Sequence, residues 1–174
     1  DLLAGAYWQG RPGKKGAIIY SGALAKEAKQ AHDRLGKEGK SDNIGLLAVT
    51  SADRLFSDWR AKGRGSHLAK LLSSLSPDAR LVTVLDGHPA ALSWIGSVAG
   101  HKVKPLGVDR FGQCGTVSDL YSAYGLDAEA IEAAFAERDK HMSALRREVE
   151  KLSQERATDD LPADVDQRLT SIEA

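Results

Sequence analysis

The sequence is poor in several features, and each shortage excludes a class of protein. Its single cysteine, Cys114, cannot form an intrachain disulfide, and it excludes an intrachain cysteine cluster for zinc. No apolar run approaches the roughly 20 residues that span a bilayer, and no secretory pattern opens the chain. We therefore expect a cytoplasmic protein, in a reducing compartment, that does not act on a membrane.

An excess of charge of either sign is also lacking. Lys and Arg together number 24, as do Asp and Glu, so no global field favours nucleic acid as a partner. The 174 residues are 42% apolar, which suits one domain with a sizeable core plus appendages. The first residue is Asp rather than Met, which leaves open whether the chain is a fragment or a processed form.

Apolar runs of strand length alternate with helical patterns along the first two thirds of the chain. Strands are predicted at "AIIY", "GLLAVT" and "LVTVL", and a weaker edge strand at "KVKPLGV", where Pro105 removes a ladder donor. The intervening segments have apolar residues at helical spacing, and Ser51 and Ser66 are predicted to begin two of these helices. The pattern predicts a three-layer α/β fold, with a mostly parallel sheet and helices on both faces.

The chain is expected to divide into three parts. Residues 1–16 are predicted as an entry segment, 17–136 as the α/β domain and 137–174 as a helical extension. From Asp127 onward the apolar residues lie three, four or seven apart on a charged background, which predicts one long exposed helix. Four of them approach a heptad seam and are candidates for helix pairing: Met142, Leu145, Val149 and Leu152.

Asp86 and His88 are the best-placed candidates for a site. They follow a predicted central strand, and in open parallel sheets the carboxyl ends of the strands line the crevice where ligands bind. In the alternative interpretation, Asp86 caps the following helix and His88 bonds a neighbouring loop. Cys114 and His88 could form a nucleophile and base, but nothing in the sequence places them together.

The remaining histidines and the tryptophans are predicted to have structural roles. His32, His67, His101 and His141 lie in surface-like polar contexts without ligand spacing, so we expect no metal site. We expect the tryptophans to be packing anchors rather than a stacking platform for bases: Trp8, Trp59 and Trp94.

One longer pattern resembles a known family. "FGQCGTVSDLYSAYGLD" resembles the end of the transketolase-type carboxy-terminal domain of thiamine-diphosphate-dependent enzymes. Further similar stretches occur in order: "LLAGAYW", "AIIYSGALAKEAKQA", "LLAVTSADRLF" and "VTVLDGHPAALSWIGSVAG". Within the family, "VTSADRLFSDWR" and the aromatic-glycine loop look most like the homodimeric pyruvate dehydrogenase decarboxylating component, with transketolase second.

The resemblance implies a sheet of about five strands with one antiparallel edge strand. It also implies a homodimer in which this segment contacts other domains of the enzyme and assists assembly rather than catalysis. Thiamine diphosphate and its Mg²⁺ are implied for the full enzyme, between the other two domains. The family's Gly-Asp-Gly and Asn motif has no match here, so the segment is predicted inactive alone, with no catalytic, cofactor-binding or metal residue of its own.

The resemblance also assigns interface roles to particular residues. Four residues are implied at a subunit contact or on the approach to an active site: Asp86, His88, Phe111 and Gln113. Cys114 becomes a small loop residue. The extension goes beyond the family's usual end, so a stand-alone interaction module derived from this fold remains an alternative, and a small α/β enzyme using Asp86, His88 and Cys114 is a third.

Overall fold

The computed structural model describes residues 2–37, 43–110, 114–135 and 147–153. The chain divides into two compact units, Asp1–Phe135 and Ala136–Ala174. The first unit contains the sheet. In the second unit, the described residues 147–153 are helical, and Val149 and Leu152 have exposed side chains. The other two candidates for helix pairing, Met142 and Leu145, lie outside the described residues.

Five strands form one sheet, in the order β1-β3-β2-β4-β5. The four later strands are parallel, and β1 pairs antiparallel with β3. The predicted fold class and the implied antiparallel edge strand are therefore confirmed. The strands are β1 (Ala6–Trp8), β2 (Gly16–Ser21), β3 (Ile44–Val49), β4 (Arg80–Leu85) and β5 (Lys102–Leu106).

Helices connect the parallel strands. The Ser51 and Ser66 side chains accept hydrogen bonds from the backbone N–H groups of Arg54 and Ala69, which confirms both predicted helix starts. The helix predicted after β4 is shorter than expected, because a 3₁₀ turn at Trp94–Val98 continues it. The α-helices are α1 (Ala25–Lys37), α2 (Ala52–Lys62), α3 (His67–Leu72), α4 (Ala90–Ser93) and α5 (Val117–Tyr124), and residues 128–135 are also helical.

The two faces of the sheet bury different side chains because successive residues of a strand point to opposite faces. Ile18 and Val82 pack on one face with α1 and with helical residues 128–135. Ile19 and Leu81 pack on the other face with α2, α3 and α4. Three layers result, as the alternation of strands and helices predicts.

The helix predicted to be long and exposed from Asp127 onward is buried in its first turns. Ile131 is fully buried, and Ala128 and Ala134 join it against the sheet face that α1 covers. Arg34 of α1 also donates a 3.3 Å hydrogen bond to Glu132. The prediction of exposure is therefore wrong for residues 128–135, because their apolar stripe completes a core layer.

Both edges of the sheet are protected. His67 donates from Nε2 to the carbonyl oxygen of Ala6 at 2.8 Å, and the Trp8 indole donates to the Leu71 carbonyl oxygen at 3.2 Å. These bonds place α3 beside β1. At the opposite edge, β5 contains Pro105, which has no N–H to offer an incoming strand. Both features disfavour the addition of a further strand at these edges.

The prediction that all histidines are surface-like is wrong for His101. Its residue is only 8% exposed, and its Nδ1 has no hydrogen-bond partner within the described ranges. The chain packs closely here, because a Cβ at Gly96 would lie 2.5 Å from the His101 carbonyl oxygen. His32 bonds the carbonyl oxygen of Ile44 at 3.1 Å. His141 lies outside the described residues.

Candidate functional site

The carboxyl ends of β2 and β4 meet at a switch in the connections of the sheet. The two strands are neighbours, but α1 follows β2 on one face while α4 follows β4 on the other. Ligands bind at such switch points in open α/β sheets. Ser21 and Gly22 end β2 there, and the segment from Asp86 to His88 ends β4.

His88 stabilises the turn that leads into α4. Its Nδ1 accepts a hydrogen bond from the backbone N–H of Ala90 at 3.2 Å, so a neutral His88 ring holds its proton on Nε2. Pro89 occupies the N-cap position of α4 without a side-chain bond. The alternative that Asp86 caps this helix is therefore wrong, because His88 makes the local bond. Both Asp86 and His88 are exposed.

The loop after β5 lies directly against the loop after β4. The Val108 backbone N–H donates to the Gly87 carbonyl oxygen at 2.8 Å. A Cβ at Gly107 would lie 2.5 Å from that same oxygen and 2.9 Å from Pro89 Cα. Only a glycine at this position permits the approach. The loop after β5 therefore supports the segment that carries Asp86 and His88.

Glu27 and Tyr121 share the electrostatic environment of Asp86. Burial raises the pKa of Tyr121 above its ordinary value, and the charges of Asp86 and Glu27 raise it further. The Glu27 Oε2 atom is buried without a hydrogen-bond partner in the described part of the chain. Sequence reasoning missed both residues. A signal existed for Glu27, which lies in the first turn of the helix that follows β2.

This edge of the sheet does not suit thiamine diphosphate. Asp86 and Glu27 are acidic and would repel a diphosphate anion unless a metal ion intervened. In the described ranges, no group of three or more His, Cys, Asp or Glu residues is placed to hold a metal ion. The described residues at this edge thus present acidic groups rather than the positive charge or the metal ligands that a metal-bound diphosphate needs.

The loop that precedes α5 is held at both ends. Arg110 donates to the Ala123 carbonyl oxygen at 3.1 Å, and the Tyr124 hydroxyl donates to the Arg110 carbonyl oxygen at 2.9 Å. Thr116 caps α5 by accepting from the Asp119 backbone N–H. Phe111 and Gln113, predicted at an interface, lie between these ends but outside the described residues.

Cys114 shows no sign of activation. It is an exposed free thiol, and no hydrogen bond joins it to His88 within the described ranges. A reactive thiolate needs an adjacent base or positive charge. The geometry therefore offers no support for a dyad of these two residues.

Comparisons with known proteins point to one fold. No model of a known protein family matches the chain. A chloroplastic transketolase of Craterostigma plantagineum is 29% identical over 120 residues, which are 69% of this chain and 21% of the relative. The transketolase of Campylobacter jejuni aligns with a TM-score of 0.59 at 18% identity, over 79% of this chain and 19% of that one.

This chain contains a domain of the transketolase-type fold. The Leishmania mexicana transketolase aligns similarly, with a TM-score of 0.57 at 18% identity over 79% of this chain and 18% of that one. A structure described as a split gene transketolase, an inactive beta4 tetramer, aligns with a TM-score of 0.57 at 21% identity over 76% of this chain and 41% of that one. The chain spans about a fifth of the length of the curated relative.

Among the described residues, no helix is both long enough and apolar enough to cross a bilayer.

Proposed function

We propose that the transketolase-type domain is the carboxy-terminal assembly domain of a thiamine-diphosphate-dependent enzyme. The observation that carries the proposal is the fold, a five-stranded sheet in the order β1-β3-β2-β4-β5 that aligns with transketolases over 79% of this chain. The acidic carboxyl edge supports a role apart from cofactor binding, because Asp86 and Glu27 disfavour a diphosphate. Thiamine diphosphate and Mg²⁺ would then bind elsewhere in the full enzyme.

Ketol transfer fits this domain at least as well as pyruvate decarboxylation. The relatives described above are all named transketolases. The resemblance to the pyruvate dehydrogenase component rests on "VTSADRLFSDWR" alone in the described part of the chain, since the aromatic-glycine loop includes Phe111 and Gln113. We propose transketolase-type chemistry for the full enzyme and keep oxidative decarboxylation as the second candidate.

Asp86 and His88 are the residues proposed to face a neighbouring subunit or domain. Both are exposed, and because the His88 Nδ1 accepts from the Ala90 N–H, the Nε2–H of a neutral His88 ring is available as a donor. Phe111 and Gln113 follow Arg110 in the sequence and lie outside the described residues, so their contact role stays a proposal. The pairing role of Met142, Leu145, Val149 and Leu152 stays a proposal for residues 137–174, as does a homodimer in the cytoplasm.

Sedimentation and calorimetry on the 174-residue chain test the assembly role. We expect self-association without heat of binding on titration with thiamine diphosphate and Mg²⁺. A monomer that binds the cofactor would contradict the proposal. For the full enzyme, formation of a ketose from a ketose donor and an aldose acceptor supports transketolase chemistry, whereas pyruvate-dependent reduction of an electron acceptor supports the second candidate.

The proposed contact residues need their own measurement. His88→Ala in the full enzyme is expected to weaken the subunit association or lower turnover, whereas Asp109→Ala, at an exposed position after β5, is expected to change neither. An unchanged turnover together with an unchanged dimer strength in His88→Ala would remove His88 from the contact.

A further inference from the structure

Three of the ten aromatic residues in the chain cluster on the outer side of α2 and the turn after α4. The rings of Trp59 and Trp94 stack with centroids 5.4 Å apart and an interplanar angle of 19°. Phe56 meets Trp94 edge-on at 5.1 Å. We call Phe56, Trp59 and Trp94 the aromatic patch.

The aromatic patch is only partly used by the core. Trp94 packs against the buried cluster, but Phe56 and Trp59 are not among the residues of that cluster. Phe56 is 38% exposed although it is large and apolar. The Trp59 indole N–H has no protein acceptor within the described ranges, whereas those of Trp8 and Trp94 donate to Leu71 and Ala91. The expectation of packing anchors thus fits Trp8 and Trp94 better than Trp59.

Basic residues outnumber acidic ones on the helix that carries Phe56 and Trp59 and on the turn after it. The Arg60 guanidinium lies 6.0 Å from the centroid of the Phe56 ring, one helical turn along α2. Arg64 is exposed in the 3₁₀ turn that follows α2. Neither arginine forms an ion pair within the described residues, whereas the neighbouring Lys62 pairs with Asp58 at 2.7 Å. Arg54, Arg60, Lys62 and Arg64 outnumber Asp53 and Asp58 here, so α2 and the turn after it carry a net charge of +2.

We propose that the aromatic patch with Arg60 and Arg64 binds an acidic protein segment that inserts apolar side chains against Phe56 and Trp59. Tryptophan and arginine are the residue types enriched at interface hot spots, where an apolar centre is surrounded by a polar rim. The neutral net charge of the chain makes this local excess the feature that would select the partner.

Two other occupants are disfavoured, one by charge and one by the arrangement of the rings. A second copy related by a two-fold axis through the Phe56 ring would bring Arg60 close to its own symmetry mate, and like charges in contact are repulsive. Single-stranded nucleic acid needs a positive groove along its backbone beside several stacking rings. Here Trp59 and Trp94 stack on each other, which uses one ring face of each.

The test uses a labelled amphipathic peptide with leucine on one helical face and glutamate on the other. Its twin carries lysine in place of every glutamate. Fluorescence anisotropy with the full 174-residue chain should show binding of the acidic peptide that weakens with salt, and at least about tenfold weaker binding of the lysine twin.

Variants separate the patch from general electrostatics. Arg60→Glu and Trp59→Ala should each weaken binding of the acidic peptide at least about tenfold. Lys29→Glu changes the net charge equally but lies exposed on α1, across the sheet, and should alter affinity less than about twofold. Arg60→Glu is at an exposed position, so it tests the proposal even if Trp59→Ala loses stability.

Several results would overturn the proposal. These are no binding of the acidic peptide, equal binding of both peptides, or equal weakening by Lys29→Glu and Arg60→Glu. Tighter binding of an oligouridine than of the acidic peptide would assign the patch to nucleic acid instead. A dimer that Trp59→Ala dissociates in sedimentation would assign it to a second copy of the chain.

Discussion

The carbonyl oxygen of Gly87 accepts a 2.8 Å hydrogen bond from the backbone N–H of Val108, so the loops after β4 and β5 form one unit. Asp86 and His88 lie in the first of these loops, and Arg110 follows the second. A substitution in the loop after β5 can therefore shift Asp86 and His88, although the two loops are about 20 residues apart in the sequence. The parallel pairing of β4 with β5 brings the two loops to the same edge of the sheet.

Gly107→Ala should destabilise the domain by about 1–3 kcal/mol, because the added Cβ would overlap the backbone of Gly87 and Pro89. Urea denaturation of the full chain measures the loss. Gly65→Ala is the matched control, since nothing lies within 4 Å of the position its Cβ would take. Equal stability of the two variants would contradict the close approach of the loops.

Ile131→Ala should cost about 2–5 kcal/mol of unfolding free energy, because the side chain is fully buried and its loss leaves a cavity. Val149→Ala removes an exposed apolar side chain from the second unit and should change the stability of the first unit by less than about 0.5 kcal/mol. Similarly small effects at both positions would support the sequence-based prediction that residues 128–135 belong to an exposed helix.

The strands were predictable where apolar β-branched runs are long enough to be distinctive. "LVTVL" and "AIIY" lie inside β4 and β2, and each observed strand extends one residue or so beyond them. β1 has only three residues and forms through its pairing with β3, which no local pattern reveals. The stripe at Ile131 was recognised, but helical periodicity is the same whether a sheet or solvent covers it.

Part of the candidate site was predictable because strand ends are visible in a sequence. Asp86 and His88 follow β4 directly, whereas Glu27 and Tyr121 approach Asp86 only through the order of the strands and helices. His101 was placed wrongly for a similar reason: its burial accompanies the close packing of Gly96 against the chain before β5. Contacts that no local sequence pattern encodes thus account for the residues that the prediction missed.

Asp58 joins α2 to α3, and its charge should matter at acidic pH. Its carboxylate accepts from Lys62 Nζ and from the His67 backbone N–H, each at 2.7 Å, and these bonds hold its pKa below the ordinary value. The pKa of Asp58 is lower in the folded than in the unfolded state, where it is near 3.8. The ionised Asp58 therefore stabilises the fold above the unfolded pKa, and this stabilisation is lost as the pH falls through the folded pKa.

Asp58→Asn should therefore be less stable than the wild type at neutral pH, and the difference should shrink as the pH falls below about 4. Thermal unfolding at a series of pH values measures this convergence. Asp53→Asn, at an exposed position five residues earlier on α2, should differ from the wild type in stability by nearly the same amount at neutral and at acidic pH. A constant difference between Asp58→Asn and the wild type at all pH values would show that the charge of Asp58 contributes nothing.

Tyr121 should respond to the charge of Asp86 at alkaline pH. Burial comes first among the causes that raise its pKa above 10.0, followed by Asp86 and Glu27. Because the folded pKa is the raised one, the contribution of Tyr121 is complete below the unfolded pKa and is lost as the pH rises through the folded value. Tyr20 adds to the same loss, since burial and the neighbouring Tyr7 raise its pKa too.

Tyr121→Phe should accordingly make stability decline less steeply above about pH 10, without removing the part due to Tyr20. Asp86→Asn should lower the pKa of Tyr121 toward its ordinary value, as followed by NMR of the ring during titration. Asp109→Asn, the matched removal of an exposed charge from the neighbouring loop, should shift it less. If the pKa of Tyr121 is the same in Asp86→Asn as in the wild type, the charge of Asp86 does not act on Tyr121 at the carboxyl edge of the sheet.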